Sequence, residues 1–173
     1  MKSCLFALLA VSGLYAETVA HLEWKAPAGW TSKGGSDMRA ATYPVAPAPG
    51  DSEGGECVVY YFGKGQGGTV DMNMARWSSQ FTGTNGVQAP AKILKRTVHM
   101  IPVTTIDVSG AYSGMGGPLA KEQTTKSRYR LLGAILENPD GNVFLKFTAP
   151  EKTVAANQQR FEALLNSFSR STR

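Results

Sequence analysis

The stretch Cys57-Val58-Val59-Tyr60-Tyr61-Phe62, followed at once by Gly63-Lys64-Gly65-Gln66-Gly67-Gly68, decides how this chain folds. Its first half is apolar at odd and even positions alike. A strand turns alternate residues to opposite faces, so this run calls for a sheet covered on both sides. Beyond the glycines, Val70, Met74, Trp77 and Phe81 recur at helical spacing and place the large side chains on one stripe. Asp71 suits the positive end of that helix, and Gly83 with Gly86 helps the chain leave it. The first covering layer therefore follows the strand it covers.

Working toward the C-terminus, residues 93–100 and 103–112 read as paired strands turning at Ile101-Pro102, with Leu94, Val98 and Met100 on one face and Ile106, Val108 and Tyr112 aligned on another. Ser113 to Ser127 carries no apolar period and is long for a connection, which marks it as a candidate functional loop. Residues 128–137 return to strand character, and Asn138-Pro139-Asp140-Gly141 is a strong turn before Val143-Phe144-Leu145-Lys146-Phe147, giving a second hairpin. A last helix starts near Pro150 or Thr153. It aligns Val154, Phe161, Leu164, Leu165 and Phe168, with Gln158 an imperfection, Glu151 suited to its start and Arg170 with Arg173 to its end.

Toward the N-terminus, residues 39–43 form a further strand, and Pro44 to Glu56 should be an exposed loop with Asp51, Glu53 and Glu56 solvated. Residues 22–25 read as a short edge strand, and Trp30 as an aromatic plug at one end of the core. Met1-Lys2-Ser3 and the apolar run from Cys4 to Leu14 have the layout of a secretory signal, too short to span a bilayer. Small residues close two cleavage sites, after Ala16 and after Ala20, and the second fits signal peptidase better. The expected organisation is a signal peptide over residues 1–20 and one domain over 21–173, secreted or periplasmic, with no transmembrane segment in the mature chain. Cys4 leaves with the signal, so Cys57 stays as a lone thiol that packs like a small hydrophobe.

The 173 residues are 42% hydrophobic and 18% charged, which excludes an acidic or low-complexity disordered chain, and 18 basic against 13 acidic side chains leave a charge of +5. That excess favours anionic surroundings. Lys92, Lys95 and Arg96 with Lys126, Arg128 and Arg130 form two basic clusters, but Lys95 and Arg96 cannot face the same way in a regular strand. Export argues against nucleic acid as a partner.

The order strand, strand, strand, helix, hairpin, long loop, hairpin, helix resembles the Mog1/PsbP-like proteins. The resemblance spans nearly all of residues 22–168. Locally, Pro27-Ala28-Gly29-Trp30, Tyr60-Tyr61-Phe62-Gly63, Gly67-Gly68 with Asn73 and Arg76-Trp77, and Lys146-Phe147-Thr148-Ala149-Pro150 are similar to uncharacterised secreted bacterial members. It implies an α+β fold in which an antiparallel sheet sits between helices as an αβα sandwich. These motifs bear the fold and carry no reaction signature, so no partner contact or metal ligand is carried over.

The sharpest chemical feature is the glycine turn. A connecting turn accounts for it; the other reading is an anion or small-ligand site made by Lys64, Gly65, Gln66, Gly67 and Gly68, with Arg76 reaching the same ligand, because glycines let backbone amides approach an anion beside a helix start. A cleft holding Lys64, Asp71 and Arg76 together would favour that alternative. Neither the phosphate-binding G-x-x-x-x-G-K-[ST] nor G-x-G-x-x-G in a parallel unit is present. His21 and His99 are too isolated for a metal or relay, and Ser109 lacks the G-x-S-x-G elbow. The sequence points to an exported noncatalytic binding or adapter domain, without cofactor or metal, whose partner is a protein or envelope component met through the 113–127 loop or the glycine turn.

Overall fold

The computed structural model describes residues 16–114 and 125–171. Its main sheet contains β3 (Arg39–Val45), β4 (Gly55–Tyr61), β5 (Phe81–Thr82), β6 (Ala91–Val98), β7 (Ile101–Tyr112), β8 (Lys126–Leu136) and β9 (Val143–Pro150). The strands run in the order β3-β4-β9-β8-β7-β5, with β6 beside β7, and every pairing is antiparallel. β4 and β9 sit in the interior of the sheet, as their apolar runs on both faces require.

One helix covers each face. Against the first, α2 (Glu151–Asn166) buries Val154, Phe161, Leu164 and Leu165 in a cluster with Cys57, Val59, Leu132, Leu136, Leu145 and Phe147 of the sheet. Against the second, α1 (Val70–Ser78) buries Met74 and Trp77 with Ile106, Leu131, Ile135 and Phe144. Gly133 makes that docking possible, because a Cβ there would lie 2.6 Å from Cζ3 of Trp77. The architecture is the expected α+β sandwich.

Several local expectations change. α1 ends at Ser78, and Phe81 belongs to β5, where it pairs with Tyr112; the C-cap at Ser79 turns the chain back to the sheet before another helical turn can form. α2 ends at Asn166, Phe168 is buried beyond it, Gln158 faces out, and Asn157 is buried in its place, so the helix covers its face with a slightly rotated stripe. Arg170 lies in β10 (Ser169–Arg170) and donates to Oδ1 of Asn138 instead of serving the helix end. Leu22–Trp24 (β2) is not at an edge. It is the middle strand of a second, three-stranded sheet, between β1 (Glu17–Val19) and β10.

The first long hairpin turns at His99 and Met100, with φ of 45° and 63°, and Ile101-Pro102 lies inside β7, with Pro102 opposite Thr97. Left-handed backbone at both central positions matches the twist of a tight hairpin, although His-Met lacks the usual Asn-Gly signature. β6 lies at the sheet edge beside β7, and of the residues expected to share a face there Val98 is buried while Leu94 and Met100 are exposed. The expected 44–56 loop is shorter, because β3 continues through Pro44 to Val45 and β4 begins at Gly55, which places Glu56 in a strand opposite Pro44; its acids are not free. Asp51 accepts from the backbone N and Oγ1 of Thr153, at 2.8 and 2.7 Å, and so caps α2 from a distant loop, while Glu53 pairs with Lys126 and Glu56 with Arg39. This supplies the cap that Pro150, at the N-cap position, lacks. Cys57 is fully buried, and burial pushes its thiol far above the ordinary range. No helix among the described residues is long and apolar enough to cross a membrane. Residues 1–15 of the expected signal and 115–124 of the 113–127 loop lie outside the described residues.

Candidate functional site

α1 has nine residues and covers only part of its face of the sheet. Beside it lies a hollow of about 270 Å³, near the lower limit of roughly 300–1,000 Å³ usual for small-molecule sites. Its walls are aromatic: Tyr60 and Phe62 at the end of β4, Trp77 of α1 and Phe144 of β9. Tyr60 and Phe62 stack at 5.9 Å with an interplanar angle of 4°, and Phe62 meets Phe144 edge-on at 5.3 Å. The rim is the turn Ser36 to Arg39, closed by reciprocal backbone hydrogen bonds between its end residues and tied to β4 where the Tyr61 N–H donates to the Met38 carbonyl.

Three cations converge on this apolar floor from three elements: Arg39 of β3, Arg76 of α1 and Lys146 of β9. Arg39 is compensated. It donates to both oxygens of Glu56, lies over the Tyr60 ring, and is raised by the Glu56 hydrogen bond. Arg76 donates to Oδ1 of Asn73. Lys146 is 8% exposed; its Nζ donates to Oε1 of Gln80 at 3.0 Å and lies 5.7 Å from the centre of the Tyr112 ring. Burial first, and the Arg76 charge second, push the Lys146 ammonium down to about 8 against the pull of Glu56. Among the described residues, no carboxylate forms an ion pair with Arg76 or Lys146. A buried ammonium without a counter-charge is costly, and the groups around it are arranged to favour negative charge.

No family model matches the chain, and no curated protein matches it in sequence. Solved structures do match. The solution structure of cyanobacterial PsbP (CyanoP) from Synechocystis sp. PCC 6803 superposes with a TM-score of 0.53 over 96% of this chain and 98% of that one, at 13% identity. The fold is Mog1/PsbP-like. The crystal structure of PA94 from Pseudomonas aeruginosa, a protein of unknown function, superposes with a TM-score of 0.50 over 92% of this chain and 98% of that one, at 10% identity. At such identities the shared property is the fold.

Within this Mog1/PsbP-like domain, the residues singled out from sequence go to two places. Lys64, Gly65, Gln66 and Gly68 line an open depression against the 138–142 turn, where Lys64 reaches the Asp140 carboxylate at 3.4 Å. Gly65, Gly67 and Gly68 have φ of 72°, 87° and 78°. Gly67 packs beneath the aromatic wall: a Cβ there would lie 2.8 Å from both Phe62 and Phe144. Arg76 lines the aromatic hollow instead of this depression, and Asp71 lines neither. The two places are linked through Asn73, whose Nδ2 donates to the carbonyls of Gly67 and Thr69 and whose Oδ1 receives Arg76. The glycine turn thereby orients a cation of the hollow.

The basic clusters are dispersed. Lys126 pairs with Glu53, Arg130 bidentately with Asp107, and Arg96 with Glu162 on α2. The sequence reading missed Lys146. Its signal was present: a single lysine inside an apolar run that needs cover on both faces must be buried, and a buried lysine needs a reason.

Proposed function

We propose that this chain is an exported, noncatalytic binding domain that takes its ligand in the hollow between α1 and the sheet. The observation that carries the reading is Lys146, a nearly buried cation that donates to a neutral amide, lies over the Tyr112 ring, has no carboxylate partner among the described residues, and faces an aromatic cavity that Arg76 also enters. The ligand is an envelope component or a group presented by a partner protein. For export, cleavage after Ala16 is proposed in place of cleavage after Ala20. What supports Ala16 is β1, which begins at Glu17, pairs with β2, and has the Glu17 carboxylate accepting from Nε1 of Trp24 at 2.9 Å and from the Tyr43 hydroxyl. Cleavage after Ala20 removes that strand.

Two measurements test this reading. Mass spectrometry of the exported protein should give Glu17 as its first residue; His21, or an unprocessed chain outside the cell, refutes the processing step. Amide spectra of the labelled protein should shift at Arg39, Tyr60 and Trp77 when a neutral aromatic probe, 3-phenylpropionamide, is added at millimolar concentration. Shifts confined to residues 64–68 on adding inorganic phosphate would move the site to the glycine turn, and an unchanged spectrum with every probe would end the proposal.

A further inference from the structure

We infer that the hollow selects a small monocarboxylate with a flat apolar body, its head held between Lys146 and Arg76 and its body against Tyr60, Phe62 and Trp77. This rests on the reading of the hollow as a ligand site and adds the chemistry of the ligand. The charges facing the cavity set the sign and the number. Arg39, Arg76 and Lys146 line it as cations and Asp37 lies at the rim; Glu56, outside the lining, is engaged by Arg39 and offsets it. Three positive and two negative groups leave one positive charge to be matched, which a single carboxylate does. A more highly charged ligand exceeds it.

Geometry sets the rest. Lys146 lines the cavity from β9 and Arg76 from α1, so a carboxylate between them meets a cationic donor from each element. The guanidinium is held by Asn73, which is itself fixed by two carbonyls. Tyr60 and Phe62 lie with parallel rings, and a ring or another planar body packs against parallel aromatic side chains better than a branched chain does. The volume, about 270 Å³, is enough for one ring and a short arm.

Protonation of Lys146 couples to occupancy. The groups that face it are Arg76 from α1, Glu56 from β4 and Tyr112 from β7, and burial with the Arg76 charge pushes the ammonium down to about 8. A bound carboxylate favours the protonated amine, so affinity is highest below that value and falls as pH rises through it. Between pH 7 and pH 9 the binding-competent fraction drops about tenfold, and affinity drops with it.

The experiment compares 3-phenylpropionate, its neutral isostere 3-phenylpropionamide, and acetate by amide-shift titration. The wild-type full chain as exported is measured beside Lys146→Met and Arg76→Gln, the second lying on an exposed helix position that the fold tolerates. The expected result is at least tenfold preference for 3-phenylpropionate over both other probes, lost in each variant, with affinity falling about tenfold from pH 7 to pH 9 in the wild type. If the amide binds in the hollow as tightly as the acid, the carboxylate assignment is overturned while the hollow stays a ligand site. If acetate equals 3-phenylpropionate, the apolar body is overturned. If none of the three shifts residues around the hollow, the inference and the reading beneath it fall together.

Discussion

Replacing Gly133 with alanine tests how α1, and with it one wall of the hollow, is fixed to the sheet. The added methyl would lie 2.6 and 2.7 Å from Cζ3 and Cε3 of Trp77 and 2.8 Å from Cγ2 of Ile106, where carbon atoms prefer about 3.5–4.0 Å. Neither side yields easily. Gly133 is paired to Ile106 of β7 on one flank and Lys146 of β9 on the other, and Trp77 is 2% exposed. Overpacking of this kind costs about 1–3 kcal/mol, and the lower entropy of an unfolded alanine returns about 0.4–1 kcal/mol. The expected net loss is about 1–2 kcal/mol, a fall in Tm of roughly 2–8 °C for a chain of this size. Urea unfolding followed by tryptophan emission measures it, with Trp77→Leu and the double variant completing a cycle. In the Trp77→Leu background the alanine should cost less, because the ring it strikes is gone and only the contact with Ile106 is left. A Gly133→Ala protein as stable as the wild type, or strictly additive effects in the cycle, would refute this account of the docking.

Lys146→Met should stabilise the ligand-free protein at pH 7. The drop of the ammonium from its ordinary 10.5 to about 8 corresponds to about 3 kcal/mol, less the lost bond to Gln80. Between pH 8 and 10.5 the unfolded state binds more protons than the folded one, so wild-type stability rises with pH there; the gap to Lys146→Met should close by pH 10.5, and a gap independent of pH contradicts the burial argument. Asp51→Ala removes the distant cap of α2 and should cost about 1–2 kcal/mol, read by thermal unfolding; no loss means that water or another group serves Thr153 equally well. The Cys57 thiol should resist Ellman's reagent in the folded protein and react at once in denaturant, and fast labelling of the native state would show that β4 opens locally.

Much of the frame was legible because it depends on short-range pattern. The run from Cys57 to Phe62 is apolar on both faces, so it had to lie inside a sheet with two covers, and the helices beginning near Val70 and Pro150 carry the stripes that supply them. Ends and turns were less legible. Phe81 continues the helical stripe in sequence, yet its partner is Tyr112 across a strand pair, and no local period distinguishes those fates. The His99-Met100 turn was hidden because a positive φ is uncommon outside glycine and Met100 carries no turn signal, whereas Pro102 looked like a turn and sits in a strand.

The candidate site was legible only in fragments. Arg76 stood out beside the glycine turn, but Lys64 points to Asp140 while Arg76 enters the aromatic hollow. By itself the sequence determined the layers, because alternation and helical spacing are properties of neighbouring residues and respond to burial directly. Only the tertiary structure decided which charges meet. Arg39, Arg76 and Lys146 lie far apart along the chain, and it is strand register and the space at Gly133 that bring them to one cavity. Their electrostatics depend on distance and burial, which strand pairing and helix docking set.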